Sequence, residues 1–557
     1  MKRQITLALT TAFLLWLAWP PTPYTSILLL VAFVPLLLAV KEIQASAHPH
    51  RGRKVFMVAG LAFLLWNTLS IYWVFNSLNE VMPTIIACAL SLIPFGLAAL
   101  LMTLSFVFYS KIQNKVKPTI ADVCLIGFWI CYEYLHQTWD LKFPWMTLGN
   151  GFASTHQLIQ WYEYTGVYGG TLWILVSNVL IFRILVWMQN KTDTNFKIRN
   201  RLIFMWSIWI AIPICISVWM YVSYEEEINP ANVVIVQPNI DPYEKYGSMS
   251  PQKQIERLIA LSKQKAKVNT EFFVWPETAL TGLSNEPDFR NTDNYKIAKQ
   301  FLNPYKNATL ITGAETYLAY PNQKTPSAVF DKSTNAYYDT FNSAIAIENS
   351  DRLQFYHKSK LVPGVEKMPF TSLLFFLKPL FEKFGGTTGG YGYQSKPNNL
   401  FTQSGIGVAP VICYESIWGE WVAQYMQQGG QFIAIITNDA WWGNTPGKNQ
   451  HLEYAKLRAI ENRRWVVRSA NTGISATINQ RGDIVQETKW WQAAVINEDI
   501  NLNSKLTFYT QYPDVIAYPF ILVGLFGLVF LGFGVLRRKV ELKSKNIEGR
   551  NDNATQN

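Results

Sequence analysis

The apolar residues of this chain crowd into its first two fifths and one late segment, leaving a polar middle from roughly Glu225 to Pro513. That division calls for helices that cross a bilayer around a domain that faces water. Candidate spans lie near residues 5–20, 25–40, 55–75, 84–109, 119–135, 166–188, 203–223 and 515–536. Several reach the ~20 residues that a crossing takes. The composition agrees: 49% hydrophobic and 16% charged residues is too apolar for an ordinary soluble enzyme. Lys2 and Arg3 precede an apolar core as in a leader peptide, but no small-residue cleavage site follows and another apolar span begins almost at once.

Basic residues then fix an expected topology. Lys2 and Arg3, then Lys41, Arg51, Arg53 and Lys54, then Lys111, Lys115 and Lys117, then Lys191, Lys197, Arg199 and Arg201, and finally Arg537, Arg538 and Lys539 fall on alternate connections. The intervening loops hold almost none, Lys142 being the exception. The positive-inside rule therefore expects eight spans, both termini in the cytoplasm and the polar middle outside. The domains expected are a bundle over 1–224 with about seven spans, an extracytoplasmic domain over 225–513, a membrane helix over 514–536 and a tail over 537–557, polar and disordered from about Glu541. These loops account for much of the net charge of +11, so topology and anionic headgroups explain it without nucleic acid.

Within the outer domain, short apolar runs closed by turn residues predict strands at Asn232–Asn239, Glu271–Glu277, Leu310–Ala314, Val408–Ile412, Phe432–Thr437, Val466–Ser469, Ser475–Ile478 and Ile484–Val485. Ala344–Glu348 and Leu353–Lys358 read as an antiparallel pair around the Asn349-Ser350-Asp351 turn. Helices fit 252–268, 417–428 and 449–462, and the alternation argues a layered α/β domain. The loop 136–164 carries Trp139, Asp140, Phe143, Pro144 and Trp145, read as membrane-interface belt residues rather than substrate contacts. Gly166, Gly169 and Gly170 open the next span, where small residues let helices approach closely. The apolar stretch Thr371–Phe381 reads equally as core or as an amphipathic arm lying in the interface. The glycine-rich run from Gly385 lacks the strand–helix context of a phosphate loop and reads as a flexible loop.

Cys413 is the one cysteine of the outer domain, since Cys88, Cys124, Cys131 and Cys215 lie in apolar spans. It closes the apolar run Val408–Ile412 ahead of a helical pattern, so strand, tight turn and helix N-terminus are expected to lower its pKa. Acyl transfer through a thiol needs a nucleophile, a proton acceptor and a positive or N–H-rich site for an oxyanion. Cys413, Glu277 and Lys358, each near a strand end, supply one candidate for each. His357 adjoins Lys358 and so faces the other way on a strand. His451 is an unsupported alternative base. No metal-ligand pattern is visible.

Taken together, WPE at 275–277, YHKSKLVPGVE at 356–366 and VICYES at 411–416 resemble the Glu-Lys-Cys signatures of the nitrilase superfamily. TNDAWWG at 437–443, Arg458 and Glu461, and SANTGIS at 469–475 continue the match. With the spans, FPW at 143–145, TGVYGG at 165–170 and VQPNI at 236–240, the whole chain resembles the apolipoprotein N-acyltransferase family of the bacterial inner membrane. The resemblance implies a multi-pass helical membrane bundle carrying a periplasmic, nitrilase-like αββα sandwich. It implies a cofactor-free ping-pong reaction that moves an acyl chain from a phospholipid, through a cysteine thioester, to the α-amino group of a diacylglyceryl apolipoprotein. That is the last step of lipoprotein maturation. Glu277 would be the proton acceptor, Lys358 the oxyanion stabiliser and Cys413 the nucleophile. Trp275, Glu366, Tyr414 and Glu415 match supporting positions, with packing assigned to Trp275, a backbone N–H near the oxyanion to Tyr414, and fixing of Lys358 or adjoining loops to the glutamates. A monomer with lipid, apolipoprotein and bilayer as partners is expected.

One departure stands out. The family commonly reads LVPFGE after the lysine, whereas Gly364 and Val365 here replace the aromatic–glycine pair while Glu366 keeps its spacing. The rival readings are a membrane-tethered amidase with water as acceptor, and a non-catalytic scaffold on the same fold.

Overall fold

The computed structural model describes residues 1–80, 82–189, 196–245, 247, 249–367, 369–370 and 390–554. The apolar stretch 371–381 and most of the glycine-rich run that follows lie outside these residues.

The first half is helical: α1 (Lys2–Leu17), α2 (Val34–Ala45), α3 (Arg51–Ile71), α4 (Trp73–Asn79), α5 (Thr84–Ile112), α6 (Pro118–Thr138), α7 (Tyr162–Gln189) and α8 (Phe196–Ser223). Seven helical segments of the described residues are long and apolar enough to cross a membrane: Thr25–Ala45, α3, α5, α6, α7, α8 and the start of the C-terminal helix, Ala517–Gly534. The remaining expected span, the first in the chain, falls on α1, a 16-residue helix that is shorter than these seven.

The strands are β1 (Pro230–Gln237), β2 (Thr270–Val274), β3 (Leu280–Asn285), β4 (Thr309–Tyr320), β5 (Val329–Asp331), β6 (Ala336–Glu348), β7 (Leu353–His357), β8 (Leu400–Phe401), β9 (Gly407–Ile412), β10 (Gly430–Thr437), β11 (Val466–Ala470), β12 (Ala476–Ile478), β13 (Ile484–Glu487) and β14 (Ala494–Asn501). They form two sheets. One runs β14-β1-β2-β4-β6-β5, with β3 on β4 and β7 on β6, and the other runs β13-β12-β11-β10-β9-β8. The strands β1, β2 and β4 are parallel, as are β9, β10 and β11. Parallel neighbours need crossovers, and helices supply them: α9 (Pro251–Lys265), α10 (Asp293–Leu302), α11 (Gly419–Gln427) and α12 (Pro446–Asn462).

Alternation along the strands decides the layers. Val234, Val236, Phe273, Leu310, Ile345 and Ile347 share an apolar core with Leu258 of α9 and Phe301 of α10. Their neighbours Val233, Ile235, Phe272, Ile311, Ala344 and Ala346 face the other sheet, where Phe272 meets Phe432 edge-on at 4.9 Å. The result is the αββα sandwich expected. Its second sheet and α12 share one continuous core with the helical bundle.

The hairpin Ala344–Glu348 with Leu353–His357 forms as expected, Ala344 opposite Tyr356. Two features were not foreseen. The β4 and β6 strands extend into a long antiparallel arm, Thr309 to Tyr320 against Tyr337 to Glu348, and β14 lies antiparallel on β1. The C-terminal helix α13 (Ala517–Ala554) also continues through the tail expected to be disordered. The stretch Lys539–Ile547 holds no proline or glycine and sets Glu541 four residues before Lys545, a helix-favouring order.

Candidate active site

The strand ends that the topology gathers at one edge of the sandwich carry the candidate residues. Past the end of β2, the Trp275 N–H donates to the Ile311 carbonyl at 2.9 Å and the Gly313 N–H to the Pro276 carbonyl at 3.1 Å. A side chain at Gly313 would set its Cβ 2.3 Å from the Thr278 nitrogen and 2.7 Å from the Glu277 Cα. Only glycine permits this approach, and it places Glu277. Trp275 is fully buried and stacked against Phe301, its indole N–H donating to the Ser262 Oγ at 3.0 Å.

Lys358 follows β7 directly, its backbone N–H held by the Asn342 carbonyl at 2.9 Å. Its Nζ lies 3.1 Å from Glu277 Oε1 and 2.8 Å from Glu366 Oε1. Burial works against the charge of Lys358, but the two carboxylates outweigh it and hold the ammonium well above the ordinary lysine range. Asn342 completes the cluster, its Nδ2 donating to Glu277 Oε1 at 2.7 Å and to Glu366 Oε1 at 3.3 Å. Glu366 also accepts the Val362 N–H at 2.8 Å, so the glutamate keeps its hold on Lys358 although Gly364 and Val365 differ from the usual loop.

Cys413 closes β9 with a φ of +50°, a conformation that costs a non-glycine residue ~1–3 kcal/mol and persists only where surroundings enforce it. Glu415 does much of the enforcing. Its Oε2 accepts the Ile412 N–H at 2.9 Å, while its Oε1 accepts the Ser359 N–H at 2.7 Å, the Lys360 N–H at 3.2 Å and the Tyr356 hydroxyl at 2.6 Å. One buried carboxylate thereby ties the residue before Cys413 to those on both sides of Lys358. Tyr414 reaches the bundle: its hydroxyl donates to the Lys142 carbonyl at 3.0 Å and its ring stacks on Phe143.

The expected lowering of the thiol pKa is corrected. Cys413 opens a short 3-10 helix, Cys413–Ile417, and α11 begins only at Gly419, so the longer helix does not start at the thiol. Burial raises the Cys413 pKa, Glu277 raises it further, and Lys358 and the Thr437 hydroxyl only partly offset them. Burial and Glu277 both favour the protonated thiol, whose attack on a carbonyl calls for a base to take the proton as the bond forms.

The aromatic loop after α6 is also corrected. Trp145 is fully buried, not in a lipid-facing belt. It packs against Trp73 at 4.7 Å, Trp442 at 5.6 Å and Tyr454 at 5.3 Å, between the bundle and the sandwich. Gly166 (φ +58°) serves the same junction, since a Cβ there would lie 2.2 Å from the ring of Tyr509.

His357 faces away from the thiol, 2.6 Å from Glu286 and stacked on Phe341. Two contributors, Asn342 and Lys245, escaped the sequence reading, and a third, the set around His451, entered it only as an unsupported alternative base and within the motif at 437–443. Asn342 is one, signalled only as an amide inside an apolar strand. Lys245 is another, its Nζ donating to the Glu277 carbonyl at 3.2 Å and to the Thr278 hydroxyl. Burial lowers its pKa to about 8 although Glu277 and Glu315 favour its charge. The third is the buried set Asp439, His451 and Arg468. His451 Nδ1 lies 3.0 Å from Asp439 Oδ1, and Arg468 pairs with the other oxygen. Burial and Arg468 keep His451 below the ordinary histidine range, while Arg468 and His451 overcome burial to hold Asp439 down at about 2.

Residues 11–180 match the apolipoprotein N-acyltransferase N-terminal domain and residues 232–505 match the carbon-nitrogen hydrolase family. The chain is 28% identical over 548 residues to the apolipoprotein N-acyltransferase of Chlorobaculum tepidum, covering 97% of this chain and 98% of that one. It is 27% identical over 525 residues to that of Geobacter metallireducens, covering 93% of each. The protein of that name from Borreliella burgdorferi is 27% identical over 531 residues, covering 94% of each.

Proposed function

The chain belongs to the apolipoprotein N-acyltransferase family, and from that premise we propose that it carries an acyl chain from a membrane phospholipid, through a thioester on Cys413, to the α-amino group of an apolipoprotein's diacylglyceryl-cysteine. The observation that carries this reading is the seat of Cys413. The thiol lies at the edge of the sandwich beside Glu277 and Lys358, and the next residue, Tyr414, is bonded to Lys142 of the bundle. A lipid ester and a protein-borne lipid can both reach such a place from the bilayer.

The steps follow from the groups. Glu277 takes the thiol proton as the sulfur attacks the ester carbonyl, and the Lys358 ammonium stabilises the oxyanion. Collapse breaks the ester C–O bond, and the lysophospholipid leaves with the proton that Glu277 held. The acceptor amine then attacks the thioester, Glu277 takes its proton, and Cys413 is released as a thiol. Glu366 and Asn342 keep Lys358 and Glu277 in place through both halves. Neither half calls for a cofactor. The distribution of basic loops supports a periplasmic sandwich with both termini in the cytoplasm, and one chain supplies the whole set, which suits a monomer.

A membrane-tethered amidase would use the same three residues. Transfer is favoured because residues 11–180 match the acyltransferase N-terminal domain and the nucleophile abuts the bundle. The test is to incorporate the purified protein into phospholipid vesicles with a synthetic diacylglyceryl lipopeptide. A peptide bearing one further acyl group on its α-amine is the expected product. Hydrolysis of simple amides through Cys413 with no acylated peptide would overturn the reading.

A further inference from the structure

The α12 helix is buried almost throughout although its sequence is polar, because the second sheet packs on one side of it and the bundle on the other. Two successive residues divide those sides. Gln450 is 1% exposed, and its amide makes all four hydrogen bonds open to it: Nε2 donates to the Pro20 and Ser70 carbonyls at 2.9 Å each, and Oε1 accepts the indole N–H of Trp73 at 3.2 Å and of Trp145 at 2.8 Å. All four partners belong to the bundle or its loops. His451, about 100° further round the helix, faces the sandwich. Its Nε2 lies 2.8 Å from Ser416 Oγ and 3.2 Å from the Cys413 carbonyl oxygen, while its Nδ1 lies 3.0 Å from Asp439. Ser416 Oγ donates to that same Cys413 carbonyl at 2.9 Å.

The strained backbone of Cys413 is thus braced through His451, and the helix that carries His451 is pinned to four separate points of the bundle through Gln450. We propose that Gln450 and His451 are a positioning pair that fixes the depth of the Cys413 thiol relative to the membrane bundle. Capture of an acyl chain from a lipid held in the bilayer then depends on Gln450, whereas capture from a small ester arriving through water does not. The inference rests on the proposed phospholipid donor.

Its test compares two acyl donors on the full-length protein in vesicles, following the acyl adduct on Cys413 by mass spectrometry. One donor is the vesicle phospholipid. The other is a short-chain, water-soluble p-nitrophenyl ester, whose C–O bond breaks as the thioester forms and whose phenol leaves with the thiol proton. Gln450→Leu, close in shape but unable to bond, is expected to slow capture from phospholipid about tenfold, since a nucleophile displaced by an ångström loses that much or more. Its capture from the water-soluble ester is expected to stay within about twofold of the parent chain. His451→Gln, which disturbs the brace itself, is expected to slow both. Equal slowing of both donors by Gln450→Leu, or slowing of neither, overturns the proposal. If Gln450→Leu fails to fold, as total loss of ester capture would reveal, Trp73→Phe decides: it removes one bond to Gln450, and only a selective loss with phospholipid sustains the pair. A parent chain that takes acyl groups from the ester but never from phospholipid sinks the donor assignment, and this inference with it.

Discussion

The Lys358 ammonium lies 3.1 Å from the Glu277 carboxylate, and the two side chains are only 2% and 9% exposed. Removing one member of a buried pair strands the other charge, at a cost of about 3–5 kcal/mol. Lys358→Met is therefore expected to lose acyl capture and also to unfold at lower temperature, because Glu277 and Glu366 then lose the ammonium that both of them face. The folded state holds the Lys358 pKa above its unfolded value. Its stabilisation is complete below the ordinary lysine range and is lost as pH rises through the folded pKa. Thermal unfolding in detergent from pH 7 to 11 checks both statements.

Burial and then Glu277 raise the Cys413 thiol. Alkylation of Cys413 by iodoacetamide, located by peptide mass spectrometry, should keep accelerating above pH 9 instead of levelling near the ordinary thiol range of about 8.5. Glu277→Gln removes a negative neighbour, so alkylation at pH 8 should become faster while acyl capture becomes slower. Acceleration of both would take Glu277 out of the base role.

Glu415 accepts four donors from two stretches of chain, Tyr356–Lys360 and Ile412. Glu415→Gln turns one acceptor into an NH₂ group that faces those donors, which should cost about 1–3 kcal/mol and let the turn at Cys413 and the end of β7 drift apart. Acyl capture should fall more steeply than the unfolding temperature. Tyr356→Phe, which deletes a single donor, should lie between the two forms on both scales.

At Gly313 the constraint is backbone against backbone. Gly313→Ala brings a methyl to 2.3 Å from the Thr278 nitrogen, and no side-chain rotation relieves it. The expected effect is displacement of Glu277, seen as a lowered rate of thioester formation with the secondary structure intact by circular dichroism. An unchanged rate would show that Glu277 tolerates the shift.

Much of the fold was legible because hydrophobic periodicity reports burial directly. The run Val408–Ile412 is buried on both faces and reads as a central strand, and Thr309–Glu348 shows the opposite case. The arm beyond Ala314 alternates polar and aromatic residues at the rim, where neither face demands an apolar run, so its length did not show. Glu277, Lys358 and Cys413 were legible as candidates because each lies near a strand end within a segment that resembles a family signature, and the structure brings Lys358 and Glu277 together. Asn342, Lys245 and Gln450 were not, because their importance lies in what they touch across 65, 32 and 380 residues of chain. The thiol pKa was misjudged because burial and the Glu277 charge, which raise it, come from distant stretches that the local pattern around Cys413 does not show. Trp145 was misplaced because an aromatic beside a span looks the same in sequence whether it meets lipid or another domain.

The most direct test is intact-protein mass spectrometry of the detergent-solubilised chain after incubation with phospholipid alone, with Cys413→Ser as the control. The account predicts a mass increase of one acyl chain that hydroxylamine removes, that a diacylglyceryl lipopeptide discharges, and that the control never shows. An unmodified chain under conditions where Cys413 hydrolyses small amides, or an adduct that persists in Cys413→Ser, would contradict it.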